Sequence, residues 1–497
     1  MIFIKLSNVL AQNIDLFKKI FKGDDTIKFR EIQNKYNRNL RYCIIYADGM
    51  INKQVIVEYI IEQLMDVNLQ NLNIIERISP KNILDIIAKN VINVSEVKKE
   101  EDIDKMIGGM LYGDTIVLMD GVNEALVLDS KGWPTRTINE PPSEKKVKGP
   151  REGFTESIIT NTTLIRRKVK NKDLKFTFME LGEKTKTKIA LCYLDKLVLP
   201  DILEELKNRL SKINIDGVLE SQYIEEFISD APLSIFKTIG STESPDAAAG
   251  KILEGRIVVL CDGTPFVLTL PYIFIEYFQS YEDYYNNYIF SSFNRILRIF
   301  AFFLSISVPS LYVAITSFHQ ELIPTSLLLS IYASRIGIPF PTIVEAVFML
   351  IGFDILREAG ARLPEPIGQA VSIIGALVLG DAAVNARIVS APMVIVTALT
   401  GLASFLLPNM VGVLIIIRFI LLILSSILGL YGYIFGIMAL FIYLVSIRSF
   451  GIPYMMNSSI IRFEDMRDAS VRKPWPYMNF RPKLFNKDRQ RQRKIKN

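Results

Sequence analysis

The apolar positions of this chain fall into three regimes. Up to about residue 290 they come as short runs and periodic patches between charged stretches, the pattern of water-soluble protein. From Ile296 to Arg448 apolar residues dominate and charges become sparse, and beyond Arg448 the chain is polar and basic. This patterning predicts an α/β soluble N-terminal region of two similar subdomains, followed by an α-helical multi-span membrane domain. The expected boundaries are an N-terminal segment at 1–35, cytosolic α/β subdomain 1 at 36–140, a linker at 141–155 and cytosolic α/β subdomain 2 at 156–285. A transmembrane helical domain at 286–448 and a basic cytosolic tail at 449–497 complete the chain.

The soluble half contains two matching stretches. Thr115-Ile116-Val117-Leu118-Met119 leads through Asp120-Gly121 into Ala125-Leu126-Val127-Leu128, and Ile257-Val258-Val259-Leu260-Cys261 leads through Asp262-Gly263 into Phe266-Val267-Leu268. Each is a hairpin signal, because glycine tolerates the positive φ of such turns. Upstream, Tyr42 to Asp48 precedes a helical pattern at Val55–Met65, and Ala190 to Asp195 precedes another at Asp201–Leu210. A common spacing of about 145 residues predicts two copies of one α/β unit. Each copy is expected to run strand, helix, further helices, then a closing hairpin. The proline-, glycine- and charge-rich stretch from Pro141 to Gly153 separates them. Arg166-Arg167-Lys168 falls in a β-like stretch and reads as a solvated face.

In the apolar third, Ile296–Ile315 is the clearest span, since about 20 apolar residues cross a hydrocarbon layer of about 30 Å. Arg295 and Arg298 at its start place the entry on the cytosolic side, and Arg448 returns the chain there. Leu322–Tyr332 is short for a span, while Pro339–Phe353 carries Glu345 and runs on into Asp354, Arg357 and Glu358. Pro366–Leu379, Val389–Leu407, Val411–Leu430 and Tyr431–Ile447 follow, the last two joined by Gly429 and Gly432. Roughly four to six crossings are expected, some short or interrupted. Charge at membrane depth costs a few kcal/mol per group, so Arg418, inside an isoleucine- and leucine-rich run, is singled out, with Glu345 and Asp381 as possible partners. Gly368, Ser372, Ala376 and Gly380 recur every fourth residue. Such a ridge packs helices closely or lines a narrow pore, with Gln369 and Ser372 supplying polarity.

The net charge of +6 resides largely in the C-terminal tail. Beside a membrane, that charge points to lipid headgroups rather than to nucleic acid. The three cysteines, Cys43, Cys192 and Cys261, fit neither a disulfide framework nor a zinc site, and Met1–Asp24 is expected to hold no signal peptide. Asp48, Asp120, Asp195 and Asp262 sit at strand ends, where turns favour aspartate. The chain has one histidine, His319, and no phosphate-binding loop, so no catalytic, cofactor-binding or metal residues are expected.

Three blocks carry a resemblance. They are Pro245 to Arg256 running into Asp262-Gly263-Thr264-Pro265-Phe266; Lys148 to Glu156 with Asn161 and Leu164-Ile165-Arg166; and Leu363 to Ala370 with Gly380-Asp381-Ala382-Ala383-Val384. Together they resemble the A subunits of GerA-type spore germinant receptors across nearly the whole chain. The resemblance implies a complex in the inner membrane of the spore that senses small nutrient germinants. It also implies two partners, a transporter-like B subunit and a lipoprotein C subunit, and a homo-oligomer forming a cation-conducting channel. A carrier for the germinant and a non-conducting scaffold are the alternatives. On the channel reading, the candidate pore-lining residues are Gln369, Ser372, Ala376 and Gly380.

Overall fold

Runs of β-branched and aromatic residues flanked by Gly and Asp form the central strands of two antiparallel sheets. The structure is a computed structural model describing residues 6–67, 80–132, 144, 148–363, 380–455, 468, 471–478, 481 and 485–486. The first five-stranded sheet comprises β1 (Ile27–Gln33), β2 (Arg41–Ala47), β3 (Val97–Glu100), β4 (Thr115–Met119) and β5 (Ala125–Leu128), in the order β1-β2-β4-β5-β3. The second comprises β6 (Leu174–Leu181), β7 (Thr187–Leu194), β8 (Gly240–Thr242), β9 (Ile257–Cys261) and β10 (Val267–Leu270), in the order β6-β7-β9-β10-β8. The strand order repeats position for position.

The helices repeat as well. In the first copy they are α1 (Leu10–Ile20), α2 (Glu62–Asp66, continuing a π-helical stretch), α3 (Pro80–Ile86) and α4 (Ile103–Met110). In the second they are α5 (Ile158–Lys168), α6 (Pro200–Ser211), α7 (Ser221–Ile228) and α8 (Pro245–Leu253). One face of the first sheet packs Cys43, Ile45, Ile116 and Leu118 on α1 and α4. The other face packs Tyr42, Ile44, Val117 and Leu126 on Ile56, Ile60, Leu64 and Leu84. Neighbouring residues of a strand point to opposite faces. A sheet covered on both sides therefore reads as unbroken apolar runs.

Each copy begins before its first strand, with a helix that the hairpin aspartate caps. The Asp120 carboxylate accepts the N–H of Leu10, the first residue of α1, at 3.1 Å; Asp262 accepts that of Ile158, the first of α5, at 3.0 Å. Asn13 brackets the backbone of Ser7, accepting from its N–H at 2.8 Å and donating to its carbonyl at 2.6 Å. Asn161 brackets Thr155 in the same way, at 2.8 and 2.5 Å. The segment 1–35, expected to stand apart, thus supplies α1 and β1 of the first copy, and each copy has an edge strand more on either side than the expected hairpin plan.

The copies are joined by buried charge. Arg166-Arg167-Lys168 is the last turn of α5, a helix and not a strand, and Arg166 is 2 % exposed. Its guanidinium donates to Asp24 Oδ2 at 2.7 Å and Thr26 Oγ1 at 2.6 Å, and lies 4.9 Å from the Phe176 ring. The solvated-face expectation fails here because the first copy covers this end of α5. Lys18, its counterpart in α1, lies over Phe29 at 6.0 Å and is exposed. Asn171 occupies the place of Asp24 in the second copy, accepting the N–H two residues on at 2.8 Å, as Asp24 does at 3.1 Å; Asn171 too is exposed. Beside this lock Gly49, at φ +84°, leaves room for α5: a Cβ there would lie 2.6 Å from Thr163 Oγ1.

Contact density divides the chain into two units: Met1–Pro232 with Thr238–Tyr272 and Met478–Asn497, and Leu233–Lys237 with Ile273–Tyr477. The second is helical, with α9 (Tyr288–Phe318), α10 (Thr325–Arg335), α11 (Thr342–Arg362), α12 (Ala391–Phe405) and α13 (Val411–Ser446). Among the described residues, Tyr288–Phe318 and Pro408–Ser446 are long and apolar enough to cross a membrane. The second of these doubles back at Gly429, whose φ of +61° and ψ of −139° break α13 into two legs. The legs touch, since a Cβ on Gly436 would lie 2.6 Å from Leu421 Cδ2. Each leg is about 26 Å long, close to a hydrocarbon thickness.

Replacing Arg166 with Ala strands the buried Asp24 carboxylate. A loss of about 3–5 kcal/mol is expected on denaturant unfolding of the α/β unit, and a cost under 1 kcal/mol would show that the lock is not stabilising. The three cysteines are buried. Burial pushes the Cys43 and Cys261 thiols up to about 12 and Cys192 well above its ordinary value. The reactive thiolate is therefore scarce at pH 8. Maleimide is expected to label none of them in the native chain and all three after unfolding, as read by mass spectrometry.

Candidate functional site

Among the described residues, buried charge in the helical unit gathers at three places. The first lies at the start of α9, where a capping box at Ser280 sets the turn that carries Asp283. That carboxylate accepts from Arg295 Nε at 3.0 Å and from both terminal nitrogens of Arg298, at 2.9 and 3.0 Å. Arg295, fully buried, also donates to Asp468 Oδ1 at 2.9 Å, and the Tyr284 hydroxyl donates to Asp468 Oδ2 at 2.6 Å. Arg472 donates to the Asn286 carbonyl at 2.7 Å. The two arginines read as a positive flank are therefore paired. The segment 449–497, expected as a basic tail, brings Asp468 and Arg472 into this cluster. Farther along, Phe485 is buried against Arg256 at 4.0 Å.

The second cluster surrounds Glu345 on α11. Its Oε2 accepts the Ser390 N–H at 2.9 Å and the Ser390 hydroxyl at 2.8 Å, and its Oε1 lies 3.2 Å from Arg335 of α10. Ser390 is the residue preceding α12, so this carboxylate sits at a helix N-terminus, where the backbone dipole favours negative charge.

Arg418 defines the third. It is 1 % exposed, and its partner is Asp354 of α11 at 2.5 Å. Arg357, one turn on, reaches the same carboxylate at 3.4 Å. Neither of the partners expected for Arg418 is used. Glu345 lies about 13 Å along the helix from Asp354, and Asp381 is exposed and accepts from Asn385 at 3.0 Å. In sequence, Asp354, Arg357 and Glu358 follow an apolar stretch as a polar group and do not stand out as a partner for Arg418. Their spacing of one helical turn was the available signal. Gln369, Ser372 and Ala376 lie outside the described residues. Gly380 is helical, with the described residues 381–385 after it, and a Cβ on it would lie 3.4 Å from Val394 of α12. Among the described residues no group of three or more His, Cys, Asp or Glu side chains could hold a metal ion.

The sequence matches the family described as Bacillus/Clostridium GerA spore germination protein over residues 15–484. The chain belongs to that family. It is 42 % identical to "Spore germination protein KA" of Bacillus subtilis (strain 168), over 98 % of this chain and 88 % of that one. It is 40 % identical to "Uncharacterized membrane protein YfkQ" of the same organism, over 97 % and 92 %. With "Spore germination protein GerLA" of Bacillus cereus the identity is 35 %, over 90 % and 89 %. A solved structure, the N-terminal domain of the A subunit of the Bacillus megaterium spore germinant receptor GerK3, is 31 % identical with a TM-score of 0.44, covering 55 % of this chain and 99 % of that one. The resemblance of the three sequence blocks is thus a family relationship along nearly the whole chain.

Asp354→Asn leaves Arg418 buried beside a neutral partner. In this GerA-family chain a destabilisation of about 3–5 kcal/mol is expected, read as earlier unfolding in detergent. An Asp354→Leu/Arg418→Met double variant is expected to recover most of it. If the double variant is no better than the single one, the pair is not what holds α11 to α13.

Proposed function

We propose that this chain is the A subunit of a spore germinant receptor and forms, with further copies of itself, a cation channel opened by a small nutrient germinant. It sits in the inner membrane of the spore, with its α/β unit and C-terminal residues in the cytosol. Membrane lipids, a transporter-like B subunit and a lipoprotein C subunit are its partners.

The observation that carries this reading is the way α11 is held. Its two carboxylates are tied to arginines from different helices, Glu345 to Arg335 of α10 and Asp354 to Arg418 of α13. On this reading, opening makes or breaks one of these polar locks as the packed helices shift. A germinant bound to a partner subunit shifts the balance by its differential affinity for the two arrangements. The stretch carrying Gln369, Ser372, Ala376 and Gly380 lines the conducting path.

Planar-bilayer recording of the purified receptor with its partners tests this. Germinant is expected to open a cation conductance, and Ser372→Lys or Ala376→Trp to reduce ion release at unchanged protein level. Germinant accumulation by this chain alone in proteoliposomes would make it a carrier. Absence of current with all partners and ligand present would make it a scaffold.

A further inference from the structure

The five residues Leu233–Lys237 belong to the helical unit although they lie in sequence between α7 and β8 of the α/β unit. They are clamped there by polar contacts. The Tyr443 hydroxyl donates to Ser234 Oγ at 2.9 Å, the Lys237 N–H donates to the Tyr277 oxygen at 3.1 Å, and the Tyr454 hydroxyl donates to the Lys237 carbonyl at 2.7 Å. Phe236, 1 % exposed, is packed with Tyr443 and Tyr454 at ring distances of 6.2 and 6.3 Å. So firm a seat would serve to bury every apolar group of the loop, yet Leu233 is 98 % exposed.

Tyr443 fixes the depth of this leucine. It lies in the last turn of the second leg of α13, which ends at Ser446. Tyrosine at the end of an apolar helix occupies the headgroup level of a bilayer, with its ring in hydrocarbon and its hydroxyl toward water. The surface of that leg beside it is apolar and exposed, Ile442 at 69 % and Val445 at 55 %. Leu233 directly precedes Ser234, which Tyr443 holds, so its exposed side chain lies at the level of this last turn.

We infer that the 233–237 loop is an interfacial anchor, whose Leu233 side chain enters the headgroup and upper acyl layer of the membrane that α13 crosses. The occupant of this surface is lipid. The loop follows α7 in sequence. This inference rests on the membrane reading of the helical unit.

The buried, unreactive native cysteines permit single-site labelling. Leu233→Cys, Ile442→Cys and Leu219→Cys variants of the full chain, labelled with an environment-sensitive fluorophore, are reconstituted in nanodiscs of phosphatidylcholine and phosphatidylglycerol containing spin-labelled lipid. The label at 442 is expected to lose most of its emission, and the label at 233 to lose it to a comparable degree with shallow quenchers. The label at the exposed Leu219 of the α/β unit is expected to keep it. Quenching at 442 without quenching at 233 overturns the anchor and leaves the membrane reading intact. Failure to quench at either site overturns the membrane reading. If 233 quenches as weakly as 219 and becomes shielded only when the chain self-associates, the surface binds a second copy and not lipid.

Discussion

Removing a guanidinium from water costs several kcal/mol unless a carboxylate is removed with it in good geometry. Among the described residues this happens at Arg166, Arg295 and Arg418, the three largest fully buried side chains there. In each case at least one counter-ion comes from a distant stretch of sequence. Asp24 meets Arg166 across the two α/β copies, Asp283 and Asp468 meet Arg295 from both flanks of the helical unit, and Asp354 meets Arg418 across two helices. Apolar packing is tolerant of register and rotation, whereas an unpaired buried charge is not. The ion pairs therefore set which segments meet, and the surrounding leucines and isoleucines supply the bulk of the burial.

The duplicated architecture was legible where each copy has the same chemical need. Both hairpins require glycine at a left-handed turn and aspartate to cap a helix, so Asp120-Gly121 and Asp262-Gly263 recur. The edge strands were not legible. β3 is four residues long and contains Lys98 and Lys99, because an unpaired sheet edge is blunted by charge and shows no apolar period. The break at Gly429 was legible because a glycine pair interrupts a long apolar run.

Buried charge defeated the linear reading for a single reason. An arginine in a polar neighbourhood looks the same whether water or another subdomain covers it, which hid Arg166. In an apolar neighbourhood the same residue stands out, as Arg418 does, but its partner depends on which helix faces it. Asp354 and Arg335 emerged only from three-dimensional proximity. The basic composition of the tail likewise conceals Asp468 and Phe485, which pack.

The Arg166 lock also bears on how far such a repeat can grow. Two copies joined head to tail leave one exposed surface equivalent to each side of the join, and a solenoid continues by stacking a further copy on either. Here the open surfaces are altered. Lys18 stands in the place of the arginine and Asn171 in the place of the aspartate. The charged pair that closes the internal junction is therefore not repeated at either open surface, and the two copies of the tandem meet through a contact that their outer faces do not offer.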